Sequence, residues 1–544
     1  MLQKLTGGQA LVAGLQRWNT DTLFGLPGVH LDHFFAALYP VKNKIRILHS
    51  RHEQGAAYMA LGYAMVSGRP GIFTVVPGPG LLNTTSALAT AYACNAPVLC
   101  ITSTVNWPLL DKNYGSLHEI PDQPGVLAGL TKWSARANHA AEIPELIDEA
   151  FRQMLSGRPR PVALEVPPEI LGQVAMMQFP EEKPTINHPT PDPEKINAAA
   201  KLIGSAKEPL IIVGGGAQDA GREVLQLAEL LQAPVISRQM GRGIVSDEHH
   251  LSIQASAGHQ LWKTADLVIG IGTRLQHVRE WGIDDDLKVI RIDLDPLEMA
   301  RVAPPTIDLV ADSGEASQAL YDVLKKQKVS RVDQSAKFKS IKQEFRKELE
   351  RTITRQVEYL DVIRDALPEN GILVDELTQV GHVTKLALPV YNARSLLTSG
   401  YQGTLGYGFA TAIGAQVAAG DRKVLSINGD GGFMYTMPEL ASAVLHNIPI
   451  VALVFCDKSF GNVEAIQQRW YDGNVIATRL HNPDFVAMAE SFGALGLKAD
   501  SPEELRTAID TAFQHQGPAV IEIPVTVEEM GWPWSLIIKE KVRS

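Results

Sequence analysis

The chain has 544 residues, 45% hydrophobic and 20% charged, which is well beyond the size at which one core stops growing and therefore predicts several globular domains rather than disorder. Its formal net charge of -10, without any block of lysine or arginine, argues against a protein that tracks a phosphate backbone. No uninterrupted apolar stretch reaches membrane-spanning length, and the N-terminal MLQKLTGGQALVAGLQRW has the spacing of an amphipathic helix rather than the layout of a cleavable leader, so a soluble, cytoplasmic protein with no nucleic-acid or membrane partner is expected.

In chain order the elements alternate. GIFTVV at 71–76 and APVLCIT at 96–102 read as buried strands on either side of the helix-like NTTSALATAYAC. EPLIIVGGG, ADLVIGIG and LKVIRIDLD repeat the theme in the middle of the chain, and KVLSI, MPELASAVLHN and IPIVALVFC near its end. Continuous apolar runs separated by helix-length segments imply parallel strands with crossover helices on both faces. Two breaks divide the chain: the proline-rich QFPEEKPTINHPTPDPE at 178–194 reads as a surface linker, and the mixed-charge stretch at 325–356 as a polar helical connector. The expected fold class is α/β, with three doubly wound parallel-sheet domains over 1–177, 190–335 and 355–544. Cys94, Cys100 and Cys456 form no CxxC pair and are expected to be reduced core residues.

In such domains ligands bind beyond the carboxyl ends of the strands. INGDGGFM at 427–434 leaves one carboxylate, Asp430, among Gly429, Gly431 and Gly432 at one of those ends. The glycines let main-chain N–H groups approach an oxygen-rich ligand, and the helix that follows, expected to carry Pro438 in its first turn, offers its positive end to phosphate. A carboxylate beside a phosphate needs a cation between them, and magnesium is the ordinary one. Taken alone, GDG is equally a turn with a capping Asp. A second carboxylate, Asp457, follows the next apolar strand, IVALVFC, and adjacent parallel strands would bring both acids to one ion.

This pair, with LFGLPGVHLD at 23–32, RHEQGAAYMALGYAMVSGRPGI at 51–72, PGPGLLNTTSALATAYACNAPVL at 77–99 and TSGYQGTLGYGFATAIGAQ at 398–416, resembles the thiamine-diphosphate (ThDP) enzymes, acetolactate synthases and their relatives above all. The resemblance implies an N-terminal pyrimidine-binding domain, a central domain and a C-terminal diphosphate-binding domain. It implies metal ligation by Asp430, Asp457 and the main-chain carbonyl of Ser459, although this chain has Cys456-Asp457 where many relatives have Asn-Asn. Glu53 takes the position of the family's catalytic glutamate, which shares a proton with the cofactor's pyrimidine. Leu405 takes that of the apolar wedge between the cofactor's rings, and Gly403 that of the carbonyl holding its amino group. Thr378, Gln379, the glycines at 429, 431 and 432, and Phe460 fall on the diphosphate side. Read singly, Glu53 is a helix-start charge, Leu405 core packing and Thr378 a cap.

The expected activity is that of a ThDP- and magnesium-dependent 2-oxo acid decarboxylase or carboligase resembling acetolactate synthase. His30 in GVHLD and His118 in SLHEIPDQ depart from the synthase pattern and resemble benzaldehyde lyase, so a 2-hydroxy ketone lyase or carboligase is the alternative. A histidine beside the reacting centre can move protons at neutral pH. Val29, Asn462, Val463 and Ile466 are expected to face the substrate. A CoA-thioester lyase would need a basic patch in the central domain, for which Arg238, Arg242 and Arg274 are the candidates, and a non-catalytic relative would have no use for Glu53. VGGGAQDAG at 213–221 departs from GxGxxG, and since some relatives bind FAD, some ADP and some neither, FAD is a candidate third cofactor. Because the pyrimidine and diphosphate halves lie in different domains, the resemblance implies a homodimer at least, with a homotetramer expected.

Overall fold

The computed structural model describes residues 2–543. Three six-stranded sheets, all parallel within themselves, are flanked by helices on both faces. A short antiparallel pair, Gln3–Thr6 with Val174–Met177, closes the first unit. The amphipathic N-terminal stretch is thus helical only over Gly7–Arg17, because Thr6 and Gln9 form a reciprocal capping box that ends the preceding strand. Strands such as Val98–Thr102, Leu267–Ile271 and Val451–Cys456 are buried at every position, which is why they read as unbroken apolar runs. Among the described residues no helix is long and apolar enough to cross a membrane. The three cysteines are free thiols.

Strand order matters more than strand count here. Numbering the strands within each unit, the first and third sheets both run 2-1-3-4-6-5, and the central sheet runs 3-2-1-4-5-6. Each order reverses direction beside its first strand, and that switch point leaves a crevice between neighbouring crossovers. In the first sheet it lies between Thr22–Gly25 and Gly71–Val75, in the central sheet between Pro209–Val213 and Leu267–Ile271, and in the third between Ile372–Asp375 and Val424–Gly429. The residues that follow those strands include Val29, His30, Gly214–Gly216, Thr378, Gln379 and Asp430.

The first and third units share one core. Helix Glu53–Ser67 lies against helix Gly408–Ala419 so closely that a Cβ on Gly62 would stand 1.9 Å from the Thr411 carbonyl oxygen, and one on Gly414 1.8 Å from that of Met59. No side chain fits at either position. Arginines join the units electrostatically. Arg158 of the first unit pairs with Asp293 (3.1 Å) and Glu298 (3.0 Å) of the central one, all three nearly out of solvent. Arg274 of the central unit donates to the Ala93 carbonyl of the first and covers the Tyr401 ring of the third. Arg394 of the third donates to the Met65 carbonyl and pairs with Asp219.

Candidate active site

Two half-sites stand at the switch points of the first and third sheets. In the third unit a cavity of about 210 Å³ is lined by Thr378, Gln379, Leu405, Gly429 to Gly432, Asp457, Ser459 to Gly461, Asn462 and Val463. Asp430 opens helix Asp430–Thr436 directly at the end of its strand, with Gly429 extended ahead of it. The helix expected to start around Pro438 therefore starts eight residues earlier, and Pro438 sits in the 3-10 turn Met437–Glu439 that follows. The glycine-rich turn changes direction within a residue, so no proline is needed to begin the helix.

Asp430 is buried and its Oδ2 accepts from the Lys458 amide (2.8 Å) and the Asn482 side chain (2.6 Å). Burial raises its pKa against those donors. Asp457, at the end of the neighbouring strand, is pushed up to about 7 by burial and then by the charge of Asp430. Two carboxylates at the ends of neighbouring strands, lining one cavity, make an oxygen donor set that suits a small divalent cation completed by phosphate oxygens. Among the described residues no cluster of three His, Cys, Asp or Glu side chains is placed to enclose a metal by itself. Ser459 Oγ is turned away and donates to Glu464, which leaves its main chain as the group available to a ligand.

On the first sheet, His30 lies in the 3-10 turn Val29–Leu31 and is almost fully buried. Its Nδ1 stands 3.2 Å from Nδ1 of His118, so one ring donates and the other accepts. Burial, and next the neighbouring His118, lower the pKa of His30. His118 holds a backbone φ of 64°, and its carbonyl presses on Gly78, whose amide is anchored by Gln123. A non-glycine residue held in that region stores strain, a recurrent property of functional loops. Glu53 begins helix Glu53–Ser67, half-exposed, with Oε2 accepting from Asn83. Gly28 and Gly80 both close on Val76, and Gly80 also approaches Glu53, so His30 and Glu53 flank one patch of backbone.

Of the residues singled out in the sequence, the diphosphate-side set falls in one cavity, and the histidines and Glu53 fall at one sheet edge. Glu53 does not line the cavity, and neither do Gly403, which is exposed, nor Ile466, which is half-buried. Asn482, Glu376 and Glu439 were not anticipated. Each stands in a string that carries no motif of its own, and only Asn482, twenty-five residues past Asp457 in LHNPD, had even a turn-like context to draw notice. The arginines proposed for a basic patch are engaged: Arg238 with Glu280, Arg242 with Asp247 and two carbonyls, Arg274 as above.

Fold and half-sites together define a three-domain enzyme of the thiamine pyrophosphate class. The chain belongs to the thiamine pyrophosphate enzyme family: residues 5–126 match its N-terminal TPP binding domain, 196–320 its central domain and 378–523 its C-terminal TPP binding domain. It is a ThDP-dependent, acetolactate synthase-like enzyme. It is 33% identical to a probable 2-ketoarginine decarboxylase of Pseudomonas aeruginosa, over 95% of this chain and 94% of that one. It is 31% identical to a probable acetolactate synthase large subunit of Methanocaldococcus jannaschii, over 96% and 93%. The acetolactate synthase large subunit of Corynebacterium glutamicum is 30% identical, over 98% and 88%.

Proposed function

We propose that the chain is a ThDP- and magnesium-dependent 2-oxo acid decarboxylase or carboligase acting in the cytoplasm, built from the units 1–177, 190–335 and 355–544. The observation that carries it is the diphosphate-side cavity, in which Asp430 and Asp457 directly follow neighbouring strands beside Thr378, Gln379 and the Gly429–Gly432 turn. When bound, ThDP supplies a carbanion at C2 that adds to a carbonyl carbon. Asp430, Asp457 and the Ser459 carbonyl would hold magnesium, with Thr378, Gln379 and the Gly429–Gly432 turn on the diphosphate. Leu405 would keep the cofactor bent, with Gly403 on its amino group, and Phe460 would pack beside it. Glu53 would hold the proton shared with the pyrimidine.

His30 is kept neutral by burial, so the His30–His118 pair can hold one proton between its Nδ1 atoms and pass it to or from a substrate oxygen. Val29, Asn462, Val463 and Ile466 would shape the substrate side. Val29 and Val463 are exposed in the single chain, as are Leu82 and Leu117 on the Glu53 side and Tyr435 on the cavity side. Apolar surface around two incomplete half-sites supports a homodimer in which each site takes both, and a homotetramer from two such dimers.

A lyase or carboligase acting on 2-hydroxy ketones is the second reading, favoured by the same histidine pair. Incubating the purified protein with ThDP and magnesium, and with pyruvate, longer 2-oxo acids including one with a guanidinium tail, acetoin and benzoin, separates the two. Carbon dioxide release from an oxo acid supports the first, and aldehyde release from a hydroxy ketone alone supports the second. For FAD, a cavity of about 400 Å³ opens at the central switch point, lined by Gly215, Gly216, Thr273, Arg274, Asp293 and Gly314. Glycine main chain, an arginine and an aspartate suit a dinucleotide, and a flavin absorption band in the purified protein tests that assignment.

A further inference from the structure

Glu376 directly follows the strand Ile372–Asp375, is 2% exposed, and does not line the cofactor cavity. One side chain there meets three of the segments that carry the cofactor residues. Its Oε1 accepts from the Gly406 amide, and the Tyr407 and Gly408 amides are also turned toward the carboxyl. Its own carbonyl accepts from the Thr378 amide at 2.9 Å. Gly432 closes over it, since a Cβ there would stand 2.5 Å from Oε1. The loop holding Gly403 and Leu405, the turn holding Thr378 and the Gly429–Gly432 turn therefore meet at this carboxyl.

Its other oxygen poses a problem. Oε2 is buried with no hydrogen-bond partner, and so is Oδ1 of Asn428. Both lie beside the same point, at 3.1 and 2.5 Å from the position of a Cβ on Gly408. The Asn428 amide is not free to flip, because its Nδ2 donates to Ser426 Oγ and the Leu453 carbonyl. Two bare acceptors beside one point of an interior are costly, and one proton shared between them removes the cost.

We propose that Glu376 is a positioning residue of the cofactor site, carried as the neutral acid, which accepts from Gly406 through Oε1 and donates from Oε2 to Asn428 and so locks the Leu405 loop to the Gly429–Gly432 turn. The inference rests on the ThDP site described above. Burial, ahead of all other influences, pushes this carboxyl up to about 8, against the pull of the three amides. The titratable groups that face it are Asp375 from its own strand, Tyr407 from the helix it caps and Tyr58 from the helix that starts at Glu53.

Glu376→Gln reproduces the neutral acid, with an oxygen for Gly406 and an NH₂ for Asn428, whereas Glu376→Ala removes both contacts. ThDP affinity is read by near-ultraviolet circular dichroism titration in the presence of magnesium, and the thermal midpoint is read on the cofactor-free protein. Expected are affinity within about threefold of wild type for Gln and a loss of about tenfold or more for Ala, the size of one buried hydrogen bond. Wild-type affinity should weaken as pH rises through 8 while that of Gln stays level, a difference that decides the matter even if the Ala protein does not fold. A Gln variant as damaged as Ala, an Ala variant that binds like wild type, or identical pH profiles would overturn the proposal. Failure of wild type to bind ThDP would instead overturn the function reading beneath it.

Discussion

Glu439 is the residue by which the third unit holds the helix start that carries Glu53 in the first. It is fully buried, and its carboxylate accepts from the Arg51 amide (3.1 and 3.0 Å), the His52 amide (2.9 Å) and Ser442 Oγ (2.7 Å). Arg51 and His52 immediately precede Glu53. Replacing Glu439 by alanine leaves two main-chain donors without partners at a closed junction, at about 1–3 kcal/mol each, so roughly 2–6 kcal/mol is available to pull the helix start away from its place. A displacement near 1 Å at a catalytic group costs on the order of a hundredfold in rate. Exchange of the ThDP C2 proton for deuterium, followed by quenched NMR, reads Glu53 without depending on substrate. Glu439→Ala is expected to slow exchange by about a hundredfold and Glu439→Gln, which keeps one acceptor, by less than about tenfold. Gly55→Ala should reproduce the alanine defect with the carboxylate still present, because its Cβ would stand 2.3 Å from Glu439 Oε1. Exchange at the wild-type rate in Glu439→Ala would refute the reasoning.

Glu53→Gln should abolish turnover while ThDP and magnesium stay bound, and wild-type C2 exchange in that variant would contradict its assignment. Asp430→Ala should lose ThDP–magnesium affinity outright in a binding titration, whereas Asp457→Asn should keep it because the amide oxygen still ligates; equal losses would remove Asp457 from the ligand set. His30→Ala should cut carbon–carbon bond making or breaking by about a hundredfold with C2 exchange unchanged, and a parallel fall in both would make His30 a structural residue. Burial holds His277 neutral, with its pKa lowered to about 3 and both ring nitrogens unpartnered. The unfolded chain takes up a proton below about 6.5 and the native one does not, so this stability is present above pH 6.5 and is lost as pH falls toward 3, to a ceiling of roughly 5 kcal/mol. His277→Phe should shift the acid unfolding midpoint downward, and an unchanged midpoint would show that another group controls acid unfolding.

What the sequence made legible follows from what burial does to a pattern. Strands enclosed on both faces, such as Val451–Cys456, announce themselves as apolar runs, and the ends of two such runs locate Asp430 and Asp457 without any knowledge of side-chain placement. The partnership of His30 and His118, eighty-eight residues apart, was not legible, because the sequence marks each histidine singly and only the folded loops bring them together. Glu376 and Glu439 were not legible, because a glutamate in VDELTQ or MPELAS looks solvated until a neighbouring domain or helix closes over it. Pro438 misled for a related reason: it is a good helix opener in isolation, but the extended Gly429 had already opened one at Asp430.

The three interdomain arginines bear on how a substrate gets in. Arg158, buried against Asp293 and Glu298, cannot part from them without leaving a buried charge unpaired, at about 3–5 kcal/mol for a lost partner, and Arg274 and Arg394 add weaker ties from the other two units. A body fastened in this way has no inexpensive hinge. Traffic to the reacting atoms would then fall to pieces of chain that can shift with the domains standing still, such as the irregular run from 104 to 122, which carries His118. With His118 in the proton-handling role proposed above, a shift of this run would time both the entry of a substrate and its readiness to react.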